Sequence, residues 1–212
     1  MRRLLAALTL ALAARLPAQE LVVGDGAAFR TITAAVAAAR PGSTIRVRPG
    51  TYREPTIVLR TPGLRLIGEG WPVLDGEGAR EIVNIRADDI TVQGFVLSNT
   101  GIAHMQDRAA LRVVEAARCT VADNRFRDAQ FAIYLQRALD CTIRNNDIVG
   151  AGGGESNNGN GVHLWHSTGI KVIGNSITGQ RDGIYFEFSR GAVAEDNRSE
   201  GNARYGLHFM FS

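Results

Sequence analysis

The chain has 212 residues, with 24 basic against 21 acidic side chains, 24 glycines and few large aromatics. Arg2, Arg3 and Arg15 fall in a leader described next, and without them the balance is 21 against 21. That removes any charge argument for binding nucleic acid or an anionic membrane surface.

Arg2 and Arg3 precede an apolar run from Leu4 to Ala14, and Leu16-Pro17-Ala18 offers a cleavage site before Gln19. Residues 1–18 therefore read as a signal peptide, followed by one exported domain over 19–212. The run is too short to cross a bilayer, and no later stretch is long enough, so no membrane span is expected.

Phe29 to Arg40 is alanine-rich, with apolar residues at Phe29, Ile32, Val36 and Ala39, which is helical spacing. Pro41-Gly42 stops it. A short helix here would cap the open end of a stack of repeats.

The repeats show as aligned segments: Cys119-Thr-Val-Ala-Asp-Asn124, Cys141-Thr-Ile-Arg-Asn-Asn146, Ile170-Lys-Val-Ile-Gly-Asn175 and Ala192-Val-Ala-Glu-Asp-Asn197. Their asparagines are 22, 29 and 22 residues apart, the longer step holding the Gly-rich insertion Gly150 to Asn160. Upstream, Ile45-Arg-Val47, Leu64-Arg-Leu-Ile-Gly68 and Ile90-Thr-Val-Gln-Gly94 join the same column. The ladder reads Val47, Leu66, Val92, Val121, Ile143, Val172, Ala194, or about seven coils. A second column reads Leu111-Arg-Val113, Ile133-Tyr-Leu135, Val162-His-Leu164, Ile184-Tyr-Phe186 and Leu207-His-Phe209.

In each triplet of that second column, alternation turns the outer two residues inward and the middle one outward. Coils of this length, with several short strands each, predict an all-β chain: a right-handed parallel β-helix, the pectin-lyase-like solenoid. Leucine-rich or hexapeptide repeats fit the spacing less well. The stop at Ser212 falls just after an apolar strand with no cap, which reads as a stack cut at its C-terminal end.

Asn124, Asn146, Asn175 and Asn197 read as a structural turn ladder. Asparagine tolerates the left-handed turn conformation, and stacked amides hydrogen-bond along the axis. Cys119 and Cys141 share a column one coil apart, within reach of a disulfide; Ile170 and Ala192 continue that column, which favours buried small apolar residues.

The outward residues of the second column are Arg112, Tyr134, His163, Tyr185 and His208, with a parallel stripe of Val114, Gln136, Trp165, Glu187 and Met210. Tyr134, His163, Trp165, Tyr185 and Glu187 form a candidate interaction face, because exposed aromatic patches mark partner or ligand surfaces. His208 and Met210, two apart on one strand, point the same way and pair imidazole with thioether, a set that suits copper(I). Ordinary surface positions suit them as well. His104-Met105, in the insertion Ile102 to Arg108, is a second such pair. Polysaccharide chemistry would need clustered carboxylates, and Glu187 stands alone on its stripe.

Gly159-Asn-Gly-Val-His-Leu164, Arg181-Asp-Gly-Ile-Tyr185 and Arg204-Tyr-Gly-Leu-His-Phe-Met-Phe211 resemble the signature of the NosD-type nitrous oxide reductase maturation proteins. Those belong to the β-helical carbohydrate-binding and sugar-hydrolase repeat group. Residues 29 to 85 resemble only the general start of such β-helices, and the chain matches the first half of a family member. The resemblance implies a non-catalytic periplasmic subunit of an ABC-type transporter that serves assembly of the reductase's copper centre. Implied partners are the transporter's membrane subunit, a copper chaperone and nitrous oxide reductase itself. ATP hydrolysis would belong to the transporter, and no phosphate-binding Gly-x-x-x-x-Gly-Lys-Ser/Thr loop occurs here. The resemblance also favours His208 and Met210 as ligands for a copper(I) cargo, with no other cofactor. The alternative is a secreted carbohydrate-active β-helix enzyme: lyase, hydrolase or epimerase.

Overall fold

Short runs of apolar residues two apart, punctuated by Gly, Asn and Asp, can only be strands that end in tight turns. In the computed structural model, which describes residues 19–212 except residue 153, those strands stack into three parallel sheets. The signal peptide expected over residues 1–18 lies outside the described residues.

Each coil visits the three sheets in turn. The first sheet has eight strands, from Glu20–Val23 through Thr44–Val47 and Thr142–Arg144 to Val193–Glu195. The second has seven, from Thr51–Tyr52 to Arg198–Glu200. The third also has seven: Ile57–Leu59, Val83–Ile85, Ala109–Val114, Phe131–Gln136, Val162–Trp165, Asp182–Glu187 and Tyr205–Met210. All pairings are parallel, so the architecture is the expected β-helix.

The register corrects one rung of the expected ladder. Leu66 lies beside Ile45, while Val47 lies beside Gly68. Leu21 in turn pairs with Ile45, so the column begins one strand earlier than the repeats alone suggest. Ile45 and Val47 are both buried and both inward-facing, so a shift of two residues preserves the pattern.

The core runs the length of the stack as columns of like residues. Leu66, Val92, Val121, Ile143 and Val172 are fully buried, as are Phe95 and Phe126. The helix Ile32–Ala38 closes one end with Ile32 and Ala35 buried beneath it. Thr31 caps it through Oγ1, accepting from the Ala34 N–H at 3.2 Å. The Glu54 carboxylate, from the first coil, accepts from the N–H groups of Ile32 and Thr33 at 2.7 and 2.8 Å. Those are donors that a helix start otherwise leaves unsatisfied.

The asparagine ladder is present as bonds. Asn146 Oδ1 accepts from the backbone N–H of Asn124 at 3.1 Å and from its Nδ2 at 3.2 Å. Asn175 does the same for Asn146, and Asn197 for Asn175. Each amide nitrogen also reaches a main-chain carbonyl: Val92, Val121, Ile143 and Val172. The left-handed residue, however, is the one before each asparagine: Asp123, Asn145, Gly174 and Asp196, with φ of 52, 54, 64 and 54°. The ladder asparagines serve as amide bridges, and the turn is made by their predecessors.

A second polar ladder, absent from the sequence reading, lines another corner. Ser167 Oγ accepts from the Ala138 N–H, Ser189 Oγ from that of Ser167, and Ser212 Oγ from that of Ser189. Cys119 and Cys141 are buried free thiols on adjacent rungs, the Cys119 N–H pointing at Cys141 Sγ at 3.3 Å. The hydrogen bond to Cys141, reinforced by burial, pushes the Cys119 thiol far above the ordinary range.

Asn146→Ala should cost about 3 kcal/mol of unfolding free energy, because it strands the buried Asn124 N–H and loses its own bonds. The urea midpoint measures this. Asn197→Ala, at a half-buried rung open to water, should shift the midpoint less; equal shifts would mean the ladder bonds are not what stabilises the corner.

Candidate functional site

The third sheet carries the two stripes on its outer face, in the expected register. Arg112, Tyr134, His163, Tyr185 and His208 lie on successive strands, and Val114, Gln136, Trp165, Glu187 and Met210 run beside them. The pairing register extends the first stripe upward by two residues, Asn84 and Val58.

This face is not an open aromatic surface. Tyr134, His163 and Tyr185 are only 7, 5 and 6% exposed. Their rings cover one another rung by rung: Tyr134 stacks on His163 at 4.3 Å, and Tyr185 meets His163 edge-on at 4.8 Å. Arg112 covers the free face of Tyr134 at 4.4 Å. Phe131 closes the side, 5.8 Å from both Tyr134 and His163, and Gly159 of the insertion lies so close to it that a Cβ would collide. The result is a dry second layer outside the β-helix core. Trp165 and Glu187, at its margin, keep partial exposure.

His163 is the polar centre of that layer. Its Nδ1 faces Asn160 Nδ2 at 3.3 Å and its Nε2 faces Glu187 Oε2 at 3.3 Å. Because an amide nitrogen only donates, Nδ1 accepts and the ring is the neutral Nε2–H form, which donates to Glu187. Burial, aided by the positive charges of Arg181 and Arg112, brings its pKa down to about 3 against the opposing pull of Asp182. Burial also pushes the Tyr134 phenol up to about 12, and raises that of Tyr185, so both hydroxyls stay protonated.

His208 and Met210 occupy the last two rung positions of the stripes. Met210 Sδ accepts the Tyr185 O–H at 2.9 Å. His208 lies between two tyrosine rings, those of Tyr185 and Tyr205, each 4.7 Å from its centre. Its Nδ1 is buried, has no hydrogen-bond partner among the described residues, and lies 3.7 Å from Asp182 Oδ2. Asp182 is itself fully buried, its carboxylate gripped by Arg204 Nε at 3.1 Å and Nη2 at 2.6 Å. Asp182 and Arg204 stand in two of the quoted motifs, and their pairing follows only from comparing opposite charges 22 residues, or one coil, apart. No group of three or more His, Cys, Asp or Glu side chains suited to a metal occurs among the described residues.

Beyond Tyr134, where the ring column stops, a polar hollow of about 800 Å³ opens, with Arg86, Glu81, Arg112, Asp107 and Trp165 on its walls. Glu81 holds Arg112 at 2.6 Å. His104 and Met105 line a smaller hollow of about 360 Å³ with Glu155 and Arg181, and Asp107 borders both hollows.

Comparison with known proteins agrees with the fold. The family model described as right handed beta helix region matches residues 109–212. The chain is 30% identical over 140 residues to the probable ABC transporter binding protein NosD of Stutzerimonas stutzeri, covering 65% of this chain and 32% of that protein. It is 34% identical over 122 residues to the protein of the same name from Pseudomonas aeruginosa, covering 57% and 28%. The chain thus spans about a third of the length of the curated relatives it matches. Among solved structures, pectate lyase Pel9A superposes with a TM-score of 0.68 at 16% identity, over 88% of this chain and 55% of that one. Escherichia coli ybhc gives 0.60 at 14%, over 97% and 67%. At those identities the two structures speak for the fold alone.

The buried neutral His163 sets a pH dependence. Its pKa is lower folded than unfolded, so the unfolded chain binds the extra proton between about pH 6.5 and 3. Stability is therefore full above that window and falls as the pH drops through it. Melting temperature against pH should slope downward below pH 6.5 in the wild type and less steeply in His163→Gln; parallel profiles would show that this histidine does not carry the effect.

Proposed function

We propose that this chain, NosD-like in sequence and a parallel β-helix in fold, is the binding module of an ABC-type transporter system that serves copper-centre assembly. The observation that carries the reading is the similarity to two proteins named as ABC transporter binding proteins. In this reading the chain acts in the periplasm, without catalysis of its own, docking on the transporter's membrane subunit. It receives copper(I) from a chaperone for delivery toward nitrous oxide reductase. No helix among the described residues is long and apolar enough to cross a membrane.

The donors fit a soft cargo ion. His208 supplies an imidazole and Met210 a thioether, on the same face of the strand Tyr205–Met210. The sulfur already accepts the Tyr185 hydroxyl, so binding a metal there displaces that hydrogen bond. The displaced Tyr185 hydroxyl must then find another partner, a cost that Tyr185→Phe removes. The partial cover over Trp165 and Glu187 leaves the margin of the second layer as the surface a protein partner would meet.

Two measurements test this. Copper(I) titration against a competing chelator should show His208→Ala and Met210→Ala each weakening binding roughly tenfold or more, about 1.4 kcal/mol. Tyr185→Phe should hold copper at least as tightly as the wild type; unchanged affinity in both ligand variants removes them from the site. Separately, the chain should be retained by its cognate transporter membrane subunit in detergent, and failure to associate counts against the transporter role itself.

A further inference from the structure

We propose that Asp182 is a positioning residue for His208. Its carboxylate takes the imidazole Nδ1–H, fixes that tautomer, and leaves the Nε2 lone pair as a preformed ligand atom. The proposal rests on the copper(I) reading of His208, and extends it to a residue that would never touch the metal.

The case begins with Asp182. A fully buried carboxylate must be paired and hydrogen-bonded to be tolerated. Arg204 provides one fork of two bonds, one to each oxygen. An ionised carboxylate has about four acceptor sites, so Arg204 fills only half of them. Two further side-chain nitrogens approach Oδ2, Arg181 Nε and His208 Nδ1, each 3.7 Å away. Both are buried and both lack another partner among the described residues.

For His208 that is decisive. A neutral imidazole carries its proton on one nitrogen, and the hydrogen bond made by the other end selects which. An unpartnered buried N–H costs roughly 1–3 kcal/mol, and a small slide of the ring toward Oδ2 removes the cost. The two tyrosine rings flanking the imidazole allow that slide, since edge-on and tilted ring contacts tolerate lateral movement. The opposite assignment, Nε2–H, would aim the Nδ1 lone pair at a buried carboxylate, two acceptors facing each other. Nε2 is not among the buried unpartnered atoms, and it is the ring nitrogen left for a ligand. A carboxylate behind a metal-binding histidine orients the ring and raises its basicity.

The test reads the tautomer first, with no metal present. Two-dimensional ¹⁵N–¹H correlation of the imidazole in alkaline buffer, assigned with His208→Gln, should show His208 as Nδ1–H. Asp182→Asn should move it toward Nε2–H and weaken copper(I) binding roughly 10- to 100-fold. Arg204→Gln, which removes the carboxylate's other anchor, should keep Nδ1–H, separating positioning from mere support of the coil. A wild-type His208 found as Nε2–H overturns the proposal without any variant having to fold. Equal tautomer shifts in Asp182→Asn and Arg204→Gln overturn it too, reducing Asp182 to a structural anchor. Should the tautomer be Nδ1–H while His208→Ala leaves copper affinity unchanged, the positioning stands and the ligand role of His208 falls.

Discussion

Everything in this molecule depends on parallel backbone pairing that sets each residue beside its counterpart one coil away. Neighbouring strands lie about 4.8 Å apart, so a side chain that works at one rung meets its like on the next. Apolar residues therefore become continuous columns, asparagines a chain of amide bonds, and serines a second chain at another corner. The same spacing is close to that of stacked rings, which is why the outward aromatics cover one another instead of lying open to water.

The layer outside the third sheet changes the meaning of its residues. An exposed stripe of Tyr, His and Trp would be an adhesive surface; a dry stack with a neutral histidine at its centre is a rigid support. It holds Glu187 against His163 on one side and Tyr185 against Met210 on the other. The chemically available atoms lie at its two ends. Tyr134 and Arg112 open onto the large hollow at one, and His208 with Met210 stands at the other.

Much of this was legible in the sequence, and the limits have physical causes. The period-2 triplets gave the direction of every stripe residue, and the repeated asparagines gave the corner. Direction is not exposure: whether Tyr134 meets water is decided by Phe131 and by the insertion around Gly159, whose path no local pattern encodes. The rung at Val47 slipped because two inward residues two apart are equivalent to pattern matching. Left-handed backbone was expected at the ladder asparagines, but those need their side chains for bonding, and the strain fell to Asp123, Asn145 and Asp196. The burial of Asp182 was not legible, because a lone acid reads as surface. Its partner Arg204 appears only when opposite charges are compared at the coil spacing, as the asparagines were.

The alternation within each triplet has one more consequence. Inward residues are constrained by a core that runs unbroken through the coils, whereas the outward residue of the same triplet is held by the rungs above and below and by what packs over them. One position in three can then be rewritten without disturbing the core. Arg112, Tyr134, His163, Tyr185 and His208 occupy equivalent backbone sites with five different environments. The solenoid works as a ruled page, on which the core supplies the lines and the third sheet's outer stripe carries the writing.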